Sequence, residues 1–373
     1  MKPNDLSEIL QLIKQNQPLN QQQISILLTT ALDKIINHID LTFDEMQAVM
    51  LVIMQGNCPD AMMGAILTAL RMKSESIDEI SAAASVMRKL STKVDLSGID
   101  NLVDIVGTGG DGANLFNVSS ASMLVAAAAG CHVAKHGSRG VSTNSGSSNL
   151  LEQAGLYLGL TPDQTTECIK TQGVGFLYAP NHHTAMKHAM PIRNTLKIRT
   201  LFNILGPLTN PAGVKNALIG VFNQKLCKPL AEVYKNLGDH HVMVVASADG
   251  LDEISLAAST YVAELKDGQV KTYEILPEDL GIASQTLHGL TVNSPAESLA
   301  LIKEALAKNP QKSEVAKKAM AMIALNAGAT IYVAKLADSH QAGVAKALDV
   351  INSGKALEKL ENLAKFTQQF NKN

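Results

Sequence analysis

Four glycines in six residues, Gly107, Gly109, Gly110 and Gly112, directly follow the apolar run at 102–106 and precede a helix-forming stretch that begins near Val118. A short apolar run feeding glycines and then a helix predicts strand, tight loop and helix in succession, the building unit of an α/β fold. Glycine lets backbone amides approach an anion closely, and a helix amino end adds further donors and a favourable dipole. The segment therefore suits phosphate. Its string also matches GxGxxG, but a dinucleotide fold needs an acid about 20 residues further on for the ribose hydroxyls, and no Asp or Glu occurs from Gly112 to Leu151. A P-loop is excluded because Ala113 stands where GxxxxGK[ST] requires lysine. A plain tight turn remains the simplest alternative.

The rest of the chain divides around this unit. Its 373 residues suggest two or three folding units at about 150 residues each. Up to residue 91 apolar residues recur at three- and four-residue spacing, as in Leu6, Ile9, Leu10 and Ile13, then Ile24, Leu27, Leu28 and Leu32. Thr42 with Glu45 and Ser76 with Glu79 read as capping boxes. This predicts a small all-helical domain at 1–91, completed by a helical segment around 180–200. From 92 to 373 short apolar runs at 102–106, 132–134, 217–222 and 241–246 alternate with helical stretches, the pattern of a parallel sheet with crossover helices. Asp267-Gly268 between 260–265 and 270–275 predicts a hairpin. The tail after Ser294 reads as helical, with alanine-rich stretches at 316–327 and 334–347. The expected fold class is α/β: a small all-helical domain plus a larger α/β domain with a mostly parallel central sheet flanked by helices.

Composition narrows the function classes. Thirty-two Lys and Arg against thirty-four Asp and Glu leave a net charge of −2, without the bulk positive charge of a nucleic-acid or anionic-membrane binder. Aromatics are 3% with no Trp, so stacking platforms for single strands are scarce. The four cysteines, Cys58, Cys131, Cys168 and Cys227, lack CxxC pairing, which argues against zinc knuckles and disulfide frameworks and for reduced cytoplasmic thiols. No apolar run reaches the ~18 residues of a membrane span, and 1–23 lacks the apolar core of a secretory signal.

Three further segments carry chemistry. Lys135, His136 and Arg139, then the serine-rich stretch at 142–148, lie in the window without acids, as a polyanionic ligand requires, with an ordinary serine-rich loop as the alternative. Asp249-Gly-Leu-Asp-Glu253 sets acids directly after a predicted strand, where Asp252 and Glu253 suit a hard cation such as magnesium that bridges to phosphates. The alternative is a solvated acidic turn. Lys187, Arg193, Lys197, Arg199 and His188 crowd one short segment, the pattern of a basic helix for nucleic acid or membrane, which the near-neutral net charge and the lack of interleaved aromatics disfavour. His182 and His183 lack the partners of a zinc site. The Asn203–Pro211 motif, NILGPLTNP, reads as a rigid structural turn.

With GTGGDG at 107–112, FNVSS at 116–120, KHG at 135–137, FNILGPLTNP at 202–211 and GLDE at 250–253, the chain resembles the anthranilate phosphoribosyltransferases over nearly its whole length. The resemblance implies transfer of phosphoribosyl from 5-phosphoribosyl 1-pyrophosphate to anthranilate, in tryptophan biosynthesis, by a cytoplasmic homodimer that meets through the helical domain, with the active site at the domain junction. It implies that Gly107, Gly109, Gly110, Asp111, Asn117, Ser119, Ser120, Lys135 and Ser147 hold the donor. Ser119, Asp252 and Glu253 would hold two magnesium ions, and Gly107, Ser138, Ala179, His183 and Arg193 would line the anthranilate path. No general base is required, with His136 as a candidate proton acceptor. Ser138 replaces the family's usual Asn, and Asn144 and Asn149 replace a usual Lys and Asp. The competing readings are a pyrimidine nucleoside phosphorylase-like enzyme and a nucleic-acid-binding relative without activity; membrane association is not expected.

Overall fold

The computed structural model describes residues 6–110, 112–139 and 146–371. The chain forms two units, one of Met1–Ser91 with His183–Thr209, the other of Thr92–His182 with Asn210–Asn373.

The smaller unit is helical. Helices Leu6–Lys14, Gln21–Ile36, Phe43–Met54, Asp60–Lys73 and Ile77–Leu90 are followed, after the return of the chain, by Met190–Leu196 and Phe202–Leu205. The apolar stripe read from spacing faces inward, with Ile9, Ile24, Leu27 and Leu28 buried, as are Met46, Met50, Ile66 and Leu70 of the following helices. Both capping boxes form: the Glu45 amide donates to Thr42 Oγ1 and the Glu79 amide to Ser76 Oγ, while each carboxylate takes the cap residue's own amide. A third, unread in the sequence, joins Asn20 and Gln23. The basic segment is no continuous helix: a 3-10 turn at Thr184–His188 precedes Met190–Leu196, which ends where Lys197 turns left-handed at φ 51°.

The larger unit holds seven strands: β1 Leu102–Gly107, β2 His132–Gly137, β3 Val174–Tyr178, β4 Asn216–Gly220, β5 His241–Ser247, β6 Thr260–Lys266 and β7 Gln269–Ile275. Their order is β3-β2-β1-β4-β5-β6-β7. The first five run parallel, while β6 and β7 form the antiparallel hairpin that Asp267 (φ 51°) and Gly268 (φ 73°) turn. Strand β3 is absent from the sequence reading, because Val-Gly-Phe-Leu-Tyr follows a helix after Gly173 alone and is too short for periodicity to register. Strand β2 extends beyond the expected 132–134 to include Lys135 and His136, which belong to the sheet and not to a loop. β4 ends at Gly220, two residues earlier than expected. The tail forms helices Pro295–Leu306, Glu314–Val333, His340–Ser353 and Lys355–Gln368. The expected helix at 334–347 breaks at 334–339, where Lys335 is left-handed and Ser339 caps the next helix.

From β1 the chain builds outward through β2 and β3, then returns to the other flank of β1 as β4. The strand order reverses between β1 and β4, and ligands of open α/β sheets bind beyond the carboxyl ends of strands at such a point.

Candidate active site

The switch point is where the glycine loop lies. Gly109, Gly110 and Gly112 take φ of 64°, 84° and 73°, a region that favours glycine. The Gly109 amide donates to Asp252 Oδ2 at 2.7 Å, and the Ser119 amide, in the first turn of the helix Val118–Ala128, donates to Glu253 Oε1 at 3.2 Å. Both acids of the Asp252–Glu253 pair are thus brought to the loop and to the helix amino end, where the backbone dipole favours negative charge. The Thr108 amide donates to Gly220 O at 2.9 Å and the Phe222 amide to Thr108 Oγ1 at 3.3 Å, tying the loop to the end of β4. Asn117 is held from the helical tail, its amide donating to Ser298 Oγ at 3.0 Å and its Oδ1 accepting from that hydroxyl at 2.8 Å. The Ser120 hydroxyl is fully buried and has no hydrogen-bond partner among the described residues.

Lys135 is 1% exposed, an unusual place for an ammonium group. Its Nζ donates to Ile105 O at 2.5 Å and to Ser119 Oγ at 3.3 Å. Burial pushes its pKa down, while Asp104, Glu253 and Asp252 favour the charged form. The next residue, His136, is clamped by Asp104: its amide donates to Oδ1 at 3.2 Å and its Nδ1 to Oδ2 at 2.5 Å. Asn210 Nδ2 donates to the same Oδ2 and to Ala134 O, each at 2.9 Å. Burial raises the Asp104 pKa, but His136, Asn210 and Lys135 outweigh it and hold the carboxyl below its usual value.

The expected anthranilate residues divide between the units. Gly107, Ser138 and Ala179 belong to the larger one, at or just past the ends of β1, β2 and β3, whereas His183 and Arg193 belong to the helical one. The Arg193 guanidinium lies over the Phe202 ring, 5.5 Å from its centroid, and Nη1 approaches Met190 Sδ at 3.7 Å. Burial pushes its pKa down, and among the described residues no carboxylate forms a salt bridge with it. Arg139, by contrast, pairs with Glu152 at 3.0 Å. Ser138 Oγ donates to Arg139 O at 3.2 Å. His182 Nδ1 donates to Thr92 O at 2.9 Å and serves the fold. Ser147 opens the helix Ser147–Gln153, and Asn149 Oδ1 accepts from the Gly146 amide at 3.2 Å. Asp111 and Asn144 lie outside the described residues, as does 140–145 generally.

Asp249, counted among the acids of the 249–253 turn, is exposed and turned back on its own segment instead, accepting from the Ser247 hydroxyl and from Ser255 Oγ at 2.6 Å. The sequence reading overlooked Asp104, although it precedes the glycine loop, and treated Asn210 only as part of a rigid turn. An Asp inside an otherwise apolar strand, with an Asn between Thr and Pro, was the available signal.

A helical bundle paired with an α/β unit whose glycine loop and adjacent acids meet at the sheet's switch point is the build of a glycosyl transferase. The model of that family's a/b domain matches residues 99–357, and the model of its helical bundle domain matches 29–91. An anthranilate phosphoribosyltransferase of a Psychrobacter species is 62% identical over 359 residues, covering 95% of this chain and 97% of the relative. One from Pseudomonas fluorescens is 60% identical over 91% of this chain and 97% of its own. The crystal structure of the Thermus thermophilus enzyme, at 38% identity, superposes with a TM-score of 0.84 over 91% of this chain and 99% of that one. The Saccharomyces cerevisiae enzyme in complex with PRPP and Mg gives 0.82 at 27% identity, over 92% and 98%. The chain belongs to the anthranilate phosphoribosyltransferase family.

Proposed function

We propose that this chain transfers the phosphoribosyl group of 5-phosphoribosyl 1-pyrophosphate to the amine of anthranilate, releasing pyrophosphate and N-(5-phosphoribosyl)anthranilate, in tryptophan biosynthesis. The observation that carries this reading is the seating of Asp252 and Glu253 against the glycine loop and the Ser119 helix end. Two carboxylates and the Ser119 hydroxyl form a set of hard oxygen donors that fits magnesium, which keeps waters and bridges to substrate phosphates. Bound there, the ions would neutralise charge on the leaving pyrophosphate.

The chain's own groups do the rest. Gly107, Gly109 and Gly110, with Asp111, Asn117, Ser119, Ser120 and Ser147, bind and orient the donor, and Lys135 contributes a positive charge from within the sheet. Arg193, desolvated over Phe202 and without a carboxylate partner among the described residues, receives the carboxylate of anthranilate, since a guanidinium matches that group in charge and shape. Gly107, Ser138, Ala179 and His183 complete the acceptor path, with Ser138 offering a shorter contact than an amide. The arylamine is neutral near pH 7, so its nitrogen attacks directly, and positioning supplies much of the acceleration. His136, oriented by Asp104, is the candidate acceptor for the released proton. Homodimerisation through the helical unit is supported by its exposed apolar side chains, among them Ile36 at 58% and Met72 at 77%. Among the described residues no helix is long and apolar enough to cross a membrane, and a cytoplasmic location belongs to the same proposal.

The decisive experiment follows anthranilate fluorescence after adding 5-phosphoribosyl 1-pyrophosphate and magnesium. Catalytic loss abolished by a chelator is expected; no loss from demonstrably folded protein overturns the assignment.

A further inference from the structure

We propose that Gly220 and Asn326, two residues outside every motif of the site, position the Asp252–Glu253 carboxylates and thereby set the affinity of this chain for its metal. The inference rests on the reading above, in which these carboxylates hold magnesium.

Gly220 closes β4 and pairs in register with Gly107 at the end of β1. Neither takes a left-handed φ, so torsional freedom is not what calls for glycine there. Space is. A Cβ on Gly107 would stand 2.5 Å from Asp252 Oδ2, and one on Gly220 would overlap the backbone carbonyl of Asp252. The main chain of Asp252 therefore crosses Gly220 while its carboxylate crosses Gly107, in a slot that two bare strand ends leave open. From that slot Oδ2 meets the Gly109 amide. An obstructing side chain end could rotate away, but a backbone carbonyl moves only with its whole turn.

Asn326 acts from the other side. It lies within the 20-residue helix Glu314–Val333 and is fully buried. A buried amide costs stability unless paired, and asparagine is a poor helix-interior residue. This one is saturated: Oδ1 accepts from the Ile254 amide at 2.9 Å, and Nδ2 donates to Ile254 O and to Met322 O, each at 3.0 Å. Ile254 follows Glu253 directly, so both backbone groups of the first residue past the acids are gripped as a neighbouring strand would grip them. Asp249, bonded to Ser247 and Ser255, braces the turn internally. The acids stand on a segment located from beneath by a slot and from behind by an amide. Such support holds ligands in place before the ion arrives.

The test uses the full chain and the variants Gly220→Ala and Asn326→Ala. Manganese, as a paramagnetic probe, is titrated by electron paramagnetic resonance with 5-phosphoribosyl 1-pyrophosphate present and anthranilate omitted, so that no turnover occurs. Anthranilate KM at saturating magnesium and the thermal midpoint are measured alongside. Both variants should weaken manganese binding by about 10–100-fold, the range for removing a support behind a metal ligand, with anthranilate KM near the parent value. Folded Asn326→Ala that binds manganese like the parent overturns the proposal, and this arm stands alone if Gly220→Ala does not fold. A parent chain that binds no manganese would instead remove the metal reading itself.

Discussion

Two buried carboxylates, one in each unit, are saturated in different ways. Glu79 of the helical unit accepts from the Ser76 amide at 2.7 Å, Lys73 Nζ at 2.9 Å and the Leu41 amide at 2.9 Å. Two of these donors stand within six residues before it, and the arrangement closes a helix end. Asp104 of the α/β unit accepts from His136 and Asn210, 32 and 106 residues away. It joins β1, β2 and Asn210. Burying a carboxylate is costly in either place and is tolerated only when its oxygens are satisfied. In the helical unit the satisfied group organises architecture; in the α/β unit it organises the residues that surround the site.

The contrast is open to breaking, most forcefully in the α/β unit. Asp252→Asn combined with Glu253→Gln should reduce kcat/KM on the order of 10²–10³-fold, as for loss of a charge-stabilising group in an active site, with little change in thermal midpoint. Normal magnesium-dependent turnover in steady-state assays would detach these acids from the chemistry.

His340 of the same unit tests whether a buried polar group can serve the fold there too. Its Nε2 donates to Leu325 O at 2.9 Å, its Nδ1 is buried without a partner among the described residues, and burial pushes its pKa from 6.5 to about 4. Between those values the unfolded chain takes a proton that the folded chain refuses. The contribution is therefore complete above pH 6.5 and is lost as pH falls toward 4. Its size is about 3 kcal/mol. Urea unfolding at pH 7 and pH 4.5 should show this loss in the parent and lack it in His340→Leu; equal slopes would refute it.

The helical unit sharpens the comparison with smaller effects. Arg193→Ala should raise anthranilate KM roughly 30-fold, about 2 kcal/mol for an unpaired buried partner, while donor KM and thermal midpoint stay put. An unchanged anthranilate KM takes Arg193 out of the acceptor path. Ser76→Ala should cost about 1 kcal/mol of stability through the lost cap and leave both KM values alone; a kinetic effect would mean that the caps of this unit reach the chemistry.

What was legible in the sequence was local. Capping boxes, the helical stripe, the strand before the glycine loop and the Asp267-Gly268 hairpin each arise within a few residues, where torsion preference and spacing act directly. The glycine loop and the acid pair were legible for the same reason, because phosphate and cation chemistry restrict residue types at short spacing. Strand β3 escaped because five residues carry too little pattern, and the helical break at 334–339 because alanine-rich composition there masks a left-handed Lys335.

By itself the sequence determined which segments become helix or strand and which loops can face an anion. Only the tertiary structure decided that Asp252 meets Gly109 across 143 residues, that Glu253 meets Ser119 across 134, and that Asn326 grips Ile254 across 72. Local torsions and periodicity depend on neighbours along the chain. The pairing of a buried carboxylate or amide depends on which distant donor the sheet order brings to it, and no spacing within the sequence encodes that choice.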